Sequence, residues 1–407
     1  MPAEARQFDV IVLGAGAAGL ISAATAGQRG RRVVVLEHNG QPGRKILISG
    51  GGRCNFTNLH CGPSNFISNN PHFAKSALAL YQPRQFLELV ERYGIPWHEK
   101  TLGQLFCDGS ARAILEMLLA ECERCGVEIV LNARATCGGA GGPSGGFRVK
   151  TSAGEFQSES LVVATGGLSI PKLGATGVGY ELARQFGLAV IEPGPALVPL
   201  VLGGDEAGWT TLAGVSAEVV AWADAADRKK SGPIQGAVRF REKMLVTHRG
   251  VSGPAVLQAS SYWRPGDALK LDFVLAAGAG LFEALKQPGA RRDLAAVKQA
   301  MRAVLPHRLA DYLAEINGPK GWSNAALEEC ERRLHRWELH PVGTEGFEKA
   351  EVTAGGVDTD GLQARTMEAR AVPGLFFIGE VVDVTGQLGG HNFQWAWASG
   401  VAAGRAV

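Results

Sequence analysis

The chain has 407 residues, of which 20% are charged, and its formal net charge is +2. This length exceeds that of a single compact core and predicts two or three domains. The near balance of charge excludes a global field that would attract nucleic acid or an anionic membrane, so any partner must be argued from local features.

The cysteines and the N-terminus indicate the compartment. Seven cysteines are scattered along the chain, and their odd number argues against a disulfide framework. Cys122 and Cys125 have CxxC spacing, but no second pair lies at zinc-site distance, so no metal site is predicted. The first eight residues are unlike a signal peptide, and a glycine turn divides the uncharged run Val10–Gly27. We therefore expect a soluble, cytoplasmic protein without a membrane span.

The first predicted elements form a nucleotide cradle. A short apolar strand, Val10–Leu13, runs into a glycine turn and then a helix. The turn has GxGxxG spacing at Gly14, Gly16 and Gly19. Such glycines permit the tight turn, let the backbone approach a pyrophosphate and allow close packing, while the helix start offers free N–H groups. Glu37 ends the next predicted strand, where an acid accepts hydrogen bonds from an adenosine ribose.

A second glycine loop, Ile48–Asn55, follows without a gap, and helical spacing recurs at Pro83–Tyr93 and Ala111–Cys125. Leu161–Ala164 is typical of a buried strand, and it leads through Thr165, Gly166 and Gly167 to a predicted helix at 180–186. This later glycine cluster lacks GxGxxG spacing and an acid-tipped strand. We therefore do not interpret it as a second dinucleotide fold.

The composition changes at Pro193–Pro195, which marks the predicted entry into another domain. Alternating segments there predict an antiparallel or barrel-like sheet, with strands at 197–202, 216–223, 234–240 and 268–274. Helices are predicted at 292–304, 307–316 and 324–337, as a small cap.

Near the C-terminus the pattern returns to that of the cradle. Val372–Glu380 contains an apolar strand with an acid at its end, and Gly386–Asn392 leads into a helix at Phe393–Arg405. A cofactor site closed by a distant segment suits an extended FAD, because that segment contributes an acid to the ribityl hydroxyls and a helix start near the flavin ring. The pattern therefore favours a flavin over a nicotinamide.

These motifs resemble those of the bacterial NAD(P)/FAD-dependent, or BaiN-like, oxidoreductases, and aminoacetone oxidases are similar too. The most specific stretch is Gly43–Asn58. Further matches cover most of the chain, at 164–167 with 171–174, 247–254, 352–357 and 392–395.

The resemblance implies an α/β fold with a Rossmann-like FAD-binding domain of the two-dinucleotide-binding-fold type. This domain comprises residues 1–192 and 345–407, and a second domain interrupts it. The interruption is a β-rich, barrel-like substrate domain, at 193–280 and 338–344, which carries a helical cap at 281–337. The predicted FAD-binding residues are Gly14, Gly16, Ala17, Ala18, Gly19, Glu37, His38, Arg44, Lys45, Ser49, Gly50, Gly51, Gly52, Arg53, Cys54, Asn55, Ala135, Thr165, Gly166, Gly167, Gly379, Glu380, Gly390, His391, Asn392 and Phe393.

Flavin chemistry requires few catalytic side chains, because N5 takes up the hydride. His391, which stands where many relatives are expected to have tyrosine, is one candidate proton carrier, and His248 is the other. The alternative for both is a structural or merely cofactor-contacting histidine. The backbone amides of Asn392 and Phe393 are candidates for stabilising negative charge on reduced flavin. For Cys54 we favour simple packing.

The leading functional hypothesis is an FAD oxidoreductase that exchanges a hydride with a small or medium organic substrate, an enone, carbonyl or amine. NADH or NADPH is a candidate transient co-substrate. The sequence disfavours nucleic acid as a partner, but an RNA-modifying flavoprotein remains the alternative. It would use a basic helical face made of Arg291, Arg292, Lys298, Arg302 and Arg308. A non-catalytic flavin-binding protein is the third hypothesis.

Overall fold

The computed structural model describes residues 5–140, 146–223, 237–275 and 280–407. It divides into two compact units. The first comprises the chain up to Gly194 together with Val352–Val407, and the second extends from Pro195 to Glu351. The helical segment that the sequence separates as a third domain lies within the second unit.

The described strands, in chain order, are β1 Arg6–Gln7, β2 Val10–Leu13, β3 Val33–Leu36, β4 Asn55–Asn58, β5 Phe66–Ile67, β6 Trp97–Glu99, β7 Gln104–Cys107, β8 Glu128–Val130, β9 Ala135–Ala140, β10 Phe147–Thr151, β11 Gly154–Ser158, β12 Ser160–Val163, β13 Val190–Ala196, β14 Leu200–Val201, β15 Ser216–Ala223, β16 Phe240–Val246, β17 Gly250–Ser252, β18 Leu269–Asp272, β19 Trp337–Leu339, β20 Gly343–Thr344, β21 Val352–Val357, β22 Leu375–Phe377 and β23 Thr385–Gly386.

The α-helices are α1 Ala17–Gln28, α2 Arg44–Gly52, α3 Ala74–Leu80, α4 Pro83–Arg92, α5 Arg112–Arg124, α6 Val178–Gln185, α7 Pro254–Ser260, α8 Glu283–Lys286, α9 Leu294–Arg302, α10 His307–Asn317, α11 Asn324–Leu334 and α12 His391–Ala406. Short 3-10 helices cover Pro63–Asn65, Pro171–Leu173, Gly204–Leu212, Thr359–Gly361 and Gly379–Val381.

A five-stranded parallel sheet forms the centre of the first unit, in the order β22-β12-β2-β3-β8. In β2 and β3 every residue is an aliphatic one and is buried, as expected for parallel strands covered on both faces. Val10 pairs with Val33 and Leu13 with Leu36, so both strands end at the same edge. That edge therefore brings together the segments that follow each strand.

Helices α1 and α12 pack closely against each other. A Cβ atom on Gly400 would lie 2.4 Å from Ile21 Cγ2, and one on Gly404 would lie 2.6 Å from the carbonyl oxygen of Ser22. Glycine at these two positions therefore permits the close approach of the two helix backbones. This contact joins the last helix of the chain to the first.

The second unit is built on a seven-stranded sheet in the order β19-β18-β15-β16-β17-β14-β20, in which all the recorded pairs are antiparallel. Its two edge strands are separated in sequence by residues 340–342 alone. Three residues can bridge only a short gap, so the two edge strands must lie near each other. The sheet therefore curls strongly. It is barrel-like, as predicted, but it does not close.

One strand that the sequence predicts in the second unit is shifted along the chain. The strand predicted at Ile234–Phe240 instead begins at Phe240 and extends to Val246, while residues 234–236 lie outside the described residues. Pro254 occupies the first turn of α7, and Gly253 is the N-cap of this helix. With φ +87° and a Cβ position 2.7 Å from the Lys243 carbonyl oxygen, residue 253 requires glycine.

The core of the first unit predicts the effect of truncating Trp397. Its ring stacks on Phe86 at 4.2 Å between centroids, and its Nε1 donates to the Phe56 carbonyl at 2.7 Å. Trp397→Ala removes this packing and leaves the carbonyl unpaired, so we expect the free energy of unfolding to fall by about 3–5 kcal/mol. Urea unfolding of the FAD-free protein measures it. Trp322→Ala, at a tryptophan that is 42% exposed, is the matched control, and a similar loss in both variants would contradict the prediction.

Candidate functional site

The GxGxxG turn forms a backbone cradle at the carboxyl edge of the parallel sheet. Gly14 has φ +107°, and a Cβ there would lie 2.5 Å from the Ala164 carbonyl oxygen. A Cβ on Gly19 would lie 1.9 Å from the Gly14 carbonyl oxygen. Among the described residues, apart from its neighbours along the chain, nothing lies within 4 Å of the Cβ position of Gly16. The outer two glycines are thus needed by the fold itself, whereas Gly16 borders open space.

The start of α1 faces that open space with unsatisfied donors. Gly16 is its N-cap, and no side chain caps the helix. The predicted contacts Ala17 and Ala18 lie in the first turn, whose amides carry the positive end of the helix dipole. A pyrophosphate fits this arrangement, because it accepts hydrogen bonds and is negatively charged.

Glu37 follows β3 at the same edge and is buried. One carboxylate oxygen accepts from the Ala15 amide at 2.8 Å, and the other accepts from the amide and side chain of Asn39 at 2.9 Å. These bonds fix the carboxylate beside the glycine turn. The oxygen that binds Ala15 keeps one lone pair, which a ribose hydroxyl would use.

His38 and Arg44, which the sequence assigns to the cofactor, contact the turn that ends the Pro171–Leu173 helix. His38 Nε2 lies 2.7 Å from the Gly174 carbonyl oxygen, and an Arg44 guanidinium nitrogen donates to the Leu173 carbonyl at 3.0 Å. Both side chains therefore brace this turn against the segment that follows β3.

The second glycine loop interrupts α2. Ser49 is extended, and Gly50, Gly51 and Gly52 have φ values of +56°, +67° and +84°. The Cβ position of Gly51 faces open space, as does that of Gly16. Sequence reasoning found this loop but not the helix that begins it at Arg44, because three glycines disguise a helical segment.

The next residues of this loop differ sharply in exposure. Arg53 is exposed, whereas Cys54 is buried. Burial raises the pKa of the Cys54 thiol to about 12, which outweighs the hydrogen bond with Ser49. The thiol is therefore protonated near neutral pH and unreactive, in agreement with a packing role.

Lys45 and Glu380 form an ion pair in the cradle. The ammonium lies 2.6 Å from a Glu380 carboxylate oxygen and 2.7 Å from Ser169 Oγ. The other carboxylate oxygen accepts from the Thr353 amide at 2.9 Å and from Ser169 Oγ at 3.0 Å. The network joins four separate segments of the chain, and the predicted site residues did not include Ser169 and Thr353.

The loop after β12 contains further predicted contacts. Thr165 has a buried Oγ1 without a described hydrogen-bond partner. Gly166 has φ +74° and borders open space, while a Cβ on Gly167 would lie 2.4 Å from Thr353 Oγ1. Ala135 lies apart from this loop, at the start of β9.

The C-terminal turn places the start of α12 against β4. Gly390 has φ +93°, and a Cβ there would lie 2.4 Å from the Thr57 carbonyl oxygen. With its amide assigned to match donors and acceptors, Asn55 accepts from the Gly390 N–H at 3.1 Å. The side-chain oxygen of Asn392 accepts a hydrogen bond from the Gly386 N–H at 2.8 Å. The ring of Phe393 stacks on Trp397. No side chain caps the helix, so its first amides remain donors.

Gly379 connects this end of the chain to α1. Its carbonyl accepts from Trp395 Nε1 at 3.0 Å, its amide donates to Ser399 Oγ at 3.0 Å, and its Cβ position lies 2.9 Å from Ala18 Cβ. Both halves of the predicted cofactor site, the GxGxxG turn and the segment around Glu380, are therefore in direct contact.

His391 is 5% exposed, and its Nδ1 has no described hydrogen-bond partner. Burial lowers its pKa to about 4, with a smaller contribution from the charge of His60. The imidazole is consequently neutral at physiological pH. Its Nδ1 can form a hydrogen bond or transfer a proton. The ring itself contributes no positive charge to the site.

The other candidate, His248, lies in the second unit, in an exposed turn between β16 and β17. The hydrogen bonds that shape this turn come from Thr247, whose Oγ1 accepts from the amides of Arg249 and Gly250 at 3.2 and 3.1 Å. The geometry of the turn therefore does not depend on the imidazole of His248.

The proposed basic helical face is largely neutralised. Arg302 forms a two-bond ion pair with Asp311 at 2.7 Å, and Lys298 lies 2.6 Å from Glu315. Arg291 pairs with Asp293. The two remaining cations, Arg292 and Arg308, donate to backbone carbonyls of the second unit. This segment offers little net positive charge to a phosphate backbone.

Residues 8–406 match the family described as HI0933-like protein Rossmann domain. The chain belongs to this family. It is an FAD-dependent oxidoreductase, and the open cradle at Gly16 with its uncapped helix start fits that cofactor. Within the described residues no cluster of side chains suits a metal ion, and no helix is long and apolar enough to cross a membrane.

Three relatives match almost the whole chain. A ribosomal RNA dihydrouridine synthase of Escherichia coli is 46% identical over 97% of this chain and 96% of its own. A protein of the same name from Haemophilus influenzae is 42% identical over 98% of both. A 3-dehydro-bile acid delta(4,6)-reductase of Clostridium scindens is 30% identical over 97% of this chain and 98% of its own. Among solved structures, Sdh1 of Mycobacterium smegmatis shares the fold, with a TM-score of 0.50 at 18% identity over 99% of this chain and 68% of its own.

Substitutions at Gly16 and Gly19 should have different effects on stability and on FAD binding. Gly16→Ala places a methyl group in open space, so stability without FAD should stay within about 0.5 kcal/mol of the parent, while FAD is lost because the methyl occupies the pyrophosphate position. The methyl group of Gly19→Ala would collide with the Gly14 carbonyl oxygen. Both the stability and the FAD content of this variant should therefore fall. Urea unfolding and the flavin absorbance of the purified variants measure the two effects. Retention of FAD by Gly16→Ala would argue against this cradle.

His391 predicts a pH dependence of stability. Its pKa falls from 6.5 in the unfolded chain to about 4 in the fold, so between these values the unfolded state binds a proton that the folded state does not. Stability should therefore decrease as the pH falls through this window, by about 3 kcal/mol in total. The variant His391→Gln should lack this contribution to the pH-dependent fall in the free energy of unfolding. Urea unfolding of both proteins at several pH values measures it. Parallel curves for the two proteins would contradict the buried neutral imidazole.

Proposed function

We propose that this protein reduces the C5–C6 double bond of a uridine base in ribosomal RNA. The observation that carries the proposal is the 46% identity, over nearly the whole chain, with a protein named ribosomal RNA dihydrouridine synthase. A second relative of that name supports it. Because the similarity spans both units, it is not confined to the cofactor cradle.

The third relative supports the same class of reaction. Its name describes a reductase of double bonds in a 3-dehydro bile acid, where C4 and C6 double bonds are conjugated to the C3 carbonyl. The C5–C6 bond of uracil is likewise conjugated to the C4 carbonyl. In each case a hydride adds to the end of the double bond that is remote from the carbonyl, and a proton adds to the nearer end. Uridine, NAD(P)H and a proton would yield dihydrouridine and NAD(P)⁺, with NADH or NADPH as the proposed donor.

FAD, when bound, supplies the hydride through N5. The residues of the chain would then bind and orient. Lys45 and Glu380 hold each other rigidly, which gives the cofactor a fixed partner surface without a free buried charge. The uncapped amides at Asn392 and Phe393 would stabilise negative charge near the ring. A neutral His391 would take part through a hydrogen bond at Nδ1, and not as an imidazolium acid.

A small conjugated carbonyl compound is the second candidate substrate. The bile acid reductase favours it, and so do the ion pairs of Arg302 and Lys298, which remove the basic helical face from consideration. In this reading nucleic acid is not a partner.

The two candidates are separated by a direct assay. Purified protein with FAD and NADPH or NADH should convert unmodified ribosomal RNA to a product in which nuclease digestion and mass spectrometry detect dihydrouridine. Gly16→Ala, which is expected to bind no FAD, is the control and should form no dihydrouridine. Reduction of a cyclic enone without any dihydrouridine in RNA would reject the proposal in favour of the second candidate.

A further inference from the structure

An exposed apolar turn lies next to the start of α12. Leu102, at the tip of the β6–β7 hairpin, is 65% exposed, and Leu59, which follows β4, is 41% exposed. The two turns are joined, because the Leu59 amide donates to the Gly103 carbonyl at 2.8 Å. The two leucines, Leu59 and Leu102, are called the leucine tip below.

Leu102 has a backbone conformation that a leucine rarely adopts. Its φ is +55°, in the left-handed region, which costs a residue with a side chain about 1–2 kcal/mol. Glycine or asparagine would relieve this cost, and a polar side chain would suit the exposure. Neither folding stability nor solubility therefore explains a leucine here. Such strain in an observed structure points to a function of the side chain.

A buried side chain fixes the leucine tip to the segment that carries His391. The Asn58 amide nitrogen donates both to the Leu102 carbonyl at 3.1 Å and to the Gly389 carbonyl at 2.8 Å. Asn58 is itself buried. On the other side of the same turn, the Cβ position of Gly389 lies 3.1 Å from the side chain of Gln104. The tip and the start of α12 therefore form one rigid assembly.

The surroundings of the leucine tip carry donors and positive charge. His60 is exposed, and its ring lies 2.7 Å from the Cβ position of Gly103. The Lys100 ammonium lies over the ring of Phe106, 5.4 Å from the centroid. In the described part of the chain neither His60 nor Lys100 has a recorded carboxylate partner, whereas Asp108 on the same sheet pairs with His98 at 2.6 Å. An anionic ligand suits this edge.

We propose that the leucine tip enters the base stack of the RNA beside the target uridine and keeps that base out of the stack, with Lys100 and His60 on the adjoining phosphates. The inference rests on the proposed function. An enzyme that acts on a base must expose it, and proteins commonly insert Leu, Ile, Met or Phe between bases to do so.

A second copy of the chain would also cover exposed leucines, but two copies joined at this tip would bring the Lys100 ammonium groups of both chains towards each other, which like-charge repulsion disfavours. The rigid link through Asn58 also suits a wedge, because a base held by the leucine tip is held at a fixed place relative to His391 and the start of α12. These observations favour RNA as the occupant.

The test uses Leu102→Gly, which removes the wedge and is compatible with φ +55°. On a structured ribosomal RNA fragment, dihydrouridine formation should fall about tenfold or more, because unstacking a base costs a few kcal/mol. On a short single-stranded oligonucleotide of the same sequence the rate should match that of the parent. Leu102→Met should retain activity, and Val342→Ala, at a valine that is 67% exposed in the second unit, is the control.

Binding is followed separately, with a fluorescent 2-aminopurine placed beside the uridine of an RNA hairpin. The parent protein should brighten the probe and Leu102→Gly should not. Brightening by the parent without dihydrouridine would uphold the wedge and reject the proposed function. Dihydrouridine formation with equal rates and equal brightening in both proteins would reject the wedge alone. A change of oligomeric state in Leu102→Gly, without a change in brightening, would assign the leucines to contact between copies and also reject it.

Discussion

The backbone contact between Gly14 and Gly19 is the constraint on which the first unit depends. The Cβ position of Gly19 lies 1.9 Å from the Gly14 carbonyl, so α1 can begin immediately against the end of β2. The same helix then accepts α12 at Gly400 and Gly404, where again no side chain would fit. Because a glycine without a side chain lies against the neighbouring segment at each contact, the positions of the two helix starts are fixed with little freedom. The cofactor cradle is a consequence of this packing.

The buried charges described in this cradle are paired or hydrogen-bonded, as the Glu37 carboxylate is by the amides of Ala15 and Asn39. Lys45 and Glu380 compensate each other at 2.6 Å and share Ser169, while His391 avoids a buried charge by remaining neutral. A buried imidazolium without a partner would cost several kcal/mol. Under the proposed function, the helix amides would stabilise a reduced flavin, because they carry partial positive charges that pH does not change. This arrangement explains why a histidine can occupy the turn without making the site depend on its titration near neutrality.

The sequence predicts the cradle well because its signals are local. The glycine spacing, the acid at Glu37 and the strand–acid pattern before Glu380 each follow from a few neighbouring residues. Contacts between distant segments escape the same reasoning. A charge pattern along α9 and α10 predicts a basic face, yet Arg302 and Lys298 pair with acids of the following helix. Asn58 has no motif, because its importance arises from two carbonyls that are far apart in sequence.

These contrasts suggest how one family can serve unlike substrates. Hydride addition to a conjugated double bond makes the same demand on the cradle for a steroid and for a uracil, so the glycine turns and the α12 start can remain unchanged. The two substrates differ in how the reacting carbon is made accessible: a steroid diffuses in freely, whereas a base in RNA must first leave its stack. The β6–β7 hairpin is attached to the α12 turn by the Asn58 side chain and lies outside the parallel sheet. Its tip can therefore vary without disturbing the cradle, and a strained, exposed leucine there is expected where the substrate has to be unstacked before it is reduced.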